Sequence, residues 1–197
     1  MDLILQLWGG GFYFLNKVFF ALAEGRQERV KKDLRTIGWV VYLLGVPAWV
    51  LILVDKHDWI AASIEAGGVP AMLFGLYNVV LNPDQPNHIF DRLTSFCTYG
   101  FLLLGVGYSL YDFGGLRTLT QGLEIGVMIG FLIGSYLLAK KHYYGWLFFL
   151  LMNGSMASLM LLQHKPLLAI QQLLSLCFVL YGFSMAWKTA NAENKVS

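Results

Sequence analysis

The stretch Lys140-Lys141-His142-Tyr143-Tyr144-Gly145-Trp146, followed by the apolar run through Asn153 to Gln171-Gln172 and Trp187, decides how this chain is read. It holds two apolar helical segments and a short loop. Moved back by 107 positions, it falls on Gly38-Trp39 and the segments after them without a gap. Gly145 and Trp146 meet Gly38 and Trp39, and Leu150 and Leu151 meet Leu43 and Leu44. His164 meets His57, Ala169 meets Ala62, Leu180 meets Leu73, and Gly182 meets Gly75. Apolar segments match one another easily, but a Gly-Trp pair, a loop histidine and a late glycine in one frame point to a duplicated unit.

The surroundings of this stretch fix its solvent. Of 197 residues, 57% are apolar and only 13% charged, against roughly a quarter charged in soluble domains. So little polar surface cannot cover a globule, and lipid is the expected medium. A spanning helix needs about 20 mostly apolar residues. Seven segments answer to that: about 3–23, 36–54, 59–81, 89–111, 119–139, 143–162 and 166–187. The first lacks the basic start of a signal peptide, having Asp2 there and Lys17 inside the apolar run, so it is expected to be retained. Cys97 and Cys177 lie in apolar runs and read as small buried thiols. No basic nucleic-acid motif and no metal-ligand spacing occurs.

Lys and Arg counts orient the segments. Arg26, Arg29, Lys31, Lys32, Arg35, Arg92, Lys140, Lys141, Lys188 and Lys195 fall on one side; Lys56, Arg117 and Lys165 fall on the other. The positive-inside rule then places the N-terminus outside and the C-terminus in the cytoplasm, the expected location being the cell (inner) membrane. Two three-helix copies joined directly would be inverted, so the fourth helix restores their common orientation. The expected fold is an all-α membrane protein of seven transmembrane helices in a single transmembrane domain. It forms a 3+1+3 bundle with two parallel three-helix repeats: repeat 1 over about 1–81, a linker helix over 89–111, repeat 2 over 119–187 and a frayed cytoplasmic tail 188–197. Bundles of this kind hold substrate near mid-membrane, between the repeats.

Candidate site residues follow from that placement. Glu65 lies inside the third segment, where an ionisable group costs about 2.5–3.5 kcal/mol on insertion scales and faces a partner or a watery cavity. Its mate 107 positions on is Gln172, beside Gln171. Glu65 reads either as a substrate contact or as a protonated hydrogen bond between helices. Trp146, Phe149 and Asn153 share a helix face; their mates are Trp39, Tyr42 and Val46, with Trp49 further along. Rings with one amide suit a flat heterocycle, although Trp39 and Trp146 also sit where interfacial anchors do. Gly67, Gly68 and Ser175 read as close-packing positions, and Pro47 and Pro70 as kinks within helices. Lys17 is expected to snorkel to the cytoplasmic face, and His57 and His164 to mark helix boundaries. No nucleophile–base pair or carboxylate dyad is present, so the chain reads as no enzyme and as using no cofactor or metal.

Residues 119–187 resemble the PnuC family of bacterial vitamin transporters. The likeness is carried by Glu124, Lys141, Trp146, Asn153, Gln171-Gln172, Gly182 and Trp187. The first copy fits weakly, with Glu65 ten positions before Gly75, and the family's Trp-x-x-Trp is Trp146-Leu147-Phe148-Phe149 here. The resemblance implies a SWEET-like 3+1+3 fold, assembly as dimers or trimers, and facilitated uptake of a vitamin or nucleoside-like molecule later trapped by a cytoplasmic kinase. Nicotinamide riboside is the leading expectation, with thiamine and riboflavin as alternatives. Glu65, Asn153, Gln171 and Gln172 are the expected polar contacts, and Trp146, Phe149, Tyr42, Trp49 and Tyr181 the aromatic walls. An ionised Glu65 would suit a cationic ring, and a neutral one an uncharged ring such as riboflavin. Proton coupling through Glu65 lacks a relay partner in the sequence. A reading of another class, a non-transporting membrane sensor or partner subunit, requires the same bundle with its centre filled by side chains.

Overall fold

The structure, a computed structural model, describes residues 2–81 and 87–193. Among them all regular structure is helical: α1 (Asp2–Ala23), α2 (Glu28–Asp55), α3 (Trp59–Gly67), α4 (Val69–Val80), α5 (His88–Asp112), α6 (Leu119–Ala139), α7 (Gly145–Leu162) and α8 (Pro166–Glu193). Lys195 and the rest of 194–197 lie outside the described residues. The tail is helical further than expected, because α8 continues unbroken to Glu193.

Six segments are long and apolar enough to cross a membrane: α2, the α3–α4 segment, α5, α6, α7 and α8. This is a membrane-embedded helical protein. The expected seventh, α1, does not reach that apolarity. Gln6, the run Gly9-Gly10-Gly11, Asn16 and Lys17 dilute it. Those polar side chains face inward, Gln6 towards a cavity and Asn16 and Lys17 into the core. The third segment is also not one helix. It breaks at Gly68 between α3 and α4. Pro70 sits in the first turn of α4, where its missing N–H leaves no intrahelical bond unmade. Pro47, by contrast, stays inside α2.

Positions 107 apart share local geometry. His57 and His164 both adopt left-handed backbone, with φ of 58° and 55°. Each closes its helix by the same pair of bonds. His57 N–H donates to Val54 O and Asp58 N–H to Leu53 O; His164 N–H donates to Leu161 O and Lys165 N–H to Met160 O. This is the Schellman end, with histidine where glycine is usual. Packing repeats as well. α1 lies along α2 as α6 lies along α7, α2 meets α4 as α7 meets α8, and α1 meets α8 as α6 meets α4. The Trp39 ring covers Gly75, and the Trp146 ring covers Gly182. Both tryptophans are buried, so neither is an interfacial anchor.

The two ends differ in charge. Lys31, Lys32 and Arg35 at the start of α2 gather with Lys141 and Val79 at one end. There Arg35 pairs with Glu24 at 2.7 Å. Burial, and then the Arg35 guanidinium, hold the Lys141 amine below the usual lysine range. Lys140 bonds Asp91 of α5 at 2.9 Å, and that bond raises the Lys140 amine above its ordinary value. Tyr136 donates to the same carboxylate at 2.8 Å, tying α5 to α6. Around the bundle the outward faces are apolar, with Phe96, Leu103 and Leu104 of α5 and Leu167, Ile170, Leu173 and Leu174 of α8 exposed. Such a surface is stable against hydrocarbon. Cys177 stands on it, exposed and not buried as expected, while Cys97 is half-buried.

The Trp-on-Gly contacts leave no room for a methyl group. A Cβ on Gly75 or Gly182 would stand 2.3 or 2.5 Å from the facing ring, whereas one on Gly154 of α7 meets nothing within 4 Å. Gly75→Ala and Gly182→Ala should each lose about 1–3 kcal/mol. Gly154→Ala should be neutral or gain up to about 1 kcal/mol. Melting temperatures of the purified protein in detergent check both.

Candidate functional site

A cavity of about 540 Å³ opens at the end opposite the basic cluster. Its mouth is ringed by Lys56, Asp58, Asp112, Phe113, Gln163 and Lys165, all at or beyond helix ends. Its walls are apolar, from Ile52, Ile64, Phe131, Met128, Met152 and Met156, and Glu124 enters from α6. Residues 107 apart both line it: Trp49 and Met156, Ile52 and Leu159, Leu53 and Met160, Lys56 and Gln163, Ala61 and Leu168, and Glu65 and Gln172.

The polar groups of the inner wall come from α1, α3 and α8. Gln171 Nε2 donates to the carbonyl of Gly10, an approach open because Gly10 has no side chain. Ser175 Oγ donates to Gln171 O at 3.0 Å. On α3, Glu65 Oε1 accepts the phenol proton of Tyr13. One turn further along α1, Lys17 is buried at 2% exposure. Its Nζ stands 5.1 Å from the ring centroids of Tyr13 and Tyr42 and 5.4 Å from that of Phe149. Behind it the Tyr42 hydroxyl is 3.2 Å from Ser135 Oγ. Asn16 Nδ2 donates to Gly38 O at 3.1 Å, bracing α1 on α2.

Of the residues expected at a site, Glu65, Gln171, Gln172 and Trp49 line the cavity. The Trp49 indole Nε1 has no hydrogen-bond partner. Tyr42 and Phe149 are fully buried just inside it, against Lys17. The other three lie elsewhere. Asn153 turns back on its own helix, Nδ2 donating to Phe149 O at 2.7 Å. Its neighbours Met152 and Met156 hold the wall instead. Trp146 is spent on Gly182. Tyr181 is 45% exposed on the outside of α8.

Sequence reasoning missed Lys17, expecting it to snorkel. The signal was available: Gly10, Tyr13, Phe14 and Lys17 fall at i, i+3, i+4 and i+7, one helix face, and all four line the cavity. A lysine on the inward stripe cannot reach an outer interface. Tyr13 was missed for the same reason. Among the described residues no group of His, Cys, Asp and Glu is arranged to hold a metal ion.

Compared with family models, with curated proteins and with solved structures, the chain matches none of them.

The Tyr13–Glu65 bond joins α1 to α3 in an apolar setting. Tyr13→Phe should leave the carboxylate without its donor and lose about 1–3 kcal/mol, while Tyr42→Phe should lose about 0.5–1.5 kcal/mol. Thermal unfolding of the two variants side by side reads the difference. Equal stability of Tyr13→Phe and the parent chain would show that the bond contributes nothing.

Proposed function

We propose that this protein is a membrane facilitator that passes a flat, vitamin- or nucleoside-sized solute through the central cavity. The observation that carries the reading is the lining. One cavity, of the size that holds a small molecule (about 300–1,000 Å³), is walled by pairs of residues 107 positions apart. That is what a site between two copies of one unit requires. In this reading α1 to α4 form one three-helix unit, α6 to α8 its parallel copy, and α5 the linker, so that α1 serves as a seventh span. The shared helix ends at His57 and His164 and the paired Trp-on-Gly contacts support the same layout.

Orientation follows from charge. The basic end belongs in the cytoplasm by the positive-inside rule, so in this reading the cavity mouth faces outward. The N-terminus lies outside, in the inner membrane. The motif resemblance of residues 119–187 to PnuC transporters supplies the substrate class: nicotinamide riboside first, thiamine or riboflavin as alternatives, with a cytoplasmic kinase to trap what enters and a dimer or trimer as the assembly. A sensor or partner subunit with a filled centre fits the open cavity less well. Glu65 and the inner polar groups then serve as contacts along the path, and uptake runs down the substrate gradient.

The test is uptake into proteoliposomes, with thermal shift as a companion. A ligand at 100 times its dissociation constant adds about 2.7 kcal/mol of stability. Radiolabelled nicotinamide riboside, thiamine, riboflavin and nucleosides form the panel. At least one should enter faster than into protein-free vesicles. Met156→Trp, which places a second indole opposite Trp49, should stop that entry while the melting temperature holds. Vesicles that take up nothing, from a protein that no panel member stabilises, would overturn the transport reading.

A further inference from the structure

The cavity floor already contains a cation. Rings that present their faces to one point form the cage by which proteins hold ammonium ligands. Tyr13, Tyr42 and Phe149 make such a cage here, and its occupant is Lys17 Nζ, within 5.1 to 5.4 Å of all three ring centroids. Lys17 reaches it from α1, one of the cavity's own walls. The phenol of Tyr13 connects the cage to Glu65, because its ring faces the ammonium while its hydroxyl donates to the carboxylate. One basic and one acidic side chain therefore meet around a single tyrosine.

We infer that the cavity takes an uncharged, flat, hydrogen-bonding heterocycle and that Lys17 excludes cationic ones. This rests on the proposed transport function and narrows its substrate class against the order the motif resemblance gives, putting uncharged riboflavin ahead of the cationic nicotinamide riboside and thiamine. Three observations lead to it. The ring faces that would hold a ligand cation are already covered by a tethered one. The Glu65 carboxyl that would attract such a ligand is already bonded by Tyr13. The remaining charges facing the cavity, Lys56, Asp58, Asp112, Glu124 and Lys165, stand towards the mouth, where water screens them. What the inner wall does offer is neutral: the amides of Gln171 and Gln172, the indole N–H of Trp49 that has no partner, and methionine side chains that fit a flat ring closely.

Nicotinamide riboside and its dihydro form isolate charge from shape. They differ by one hydride, which takes the ring from +1 to neutral. Affinities of both, with riboflavin and uridine as further uncharged probes, are measured on the full chain in detergent. Like charges held close in a poorly screened interior repel. The neutral form should therefore bind at least about tenfold more tightly, the carboxylate offsetting part of that repulsion. In Lys17→Met, a change of similar volume, the ratio should fall towards one or reverse, with affinity for the neutral form kept within about threefold. The parent ratio is decisive even where that variant does not fold. Parent protein that binds the cation as tightly as the neutral form overturns the inference and leaves the transport reading standing. So does a ratio unchanged in a folded Lys17→Met. Protein that binds no member of the panel overturns both.

Discussion

A polar group inside hydrocarbon has no water to turn to, and the interior of this bundle is arranged around that constraint. α1 shows it best. Its amide and its ammonium at positions 16 and 17 would be ruinous facing lipid, so the helix turns that stripe inward. Asn16 then bonds the backbone of α2, Lys17 enters an aromatic cage, and the large outward residues are left to the membrane. α5 obeys the same rule, turning Thr94 and Thr98 inward and leaving Phe96, Tyr99, Leu103 and Leu104 outside. Which helix lines the centre and which one lies outside is decided by where each must hide its polar atoms.

Close helix contact follows from the same economy of space. Trp39 and Trp146 lie on bare backbone at Gly75 and Gly182, filling the end of the bundle near the basic cluster with large rings. Polar residues and methionines occupy the other half. The bundle is thus tight at one end and hollow at the other. That gradient makes a cavity with a floor, and the floor is where the buried charges are.

Much of this was legible in the sequence. The 107-residue repetition carried real geometry, down to the left-handed histidines that end α2 and α7. Glu65, Gln171, Gln172 and Trp49, all named from the sequence, line one cavity. What could not be read was direction. Asn153 and Met152 are neighbours on α7, and which of them meets the cavity depends on a rotation of a fraction of a turn. Tyr181 was legible: carried along α8, the stripe of Gln171, Gln172 and Ser175 meets Val179 and Gly182 and leaves Tyr181 outside. The fold-back of the Asn153 amide onto Phe149 O is a local choice between equally available acceptors. Lys17 and the break after Gly67 were different: the inward stripe of α1 and the run Gly67-Gly68-Val69-Pro70 announced them.

The interruption at Gly68 has no counterpart in α8, which runs straight through the matching region. The two walls of the cavity are alike in outline and unlike in stiffness. Glu65 sits on a nine-residue rod, three positions from a joint, while Gln172 opposite is fixed in a beam of twenty-eight residues. The jointed side offers a backbone interruption at which to bend, and the beam offers none.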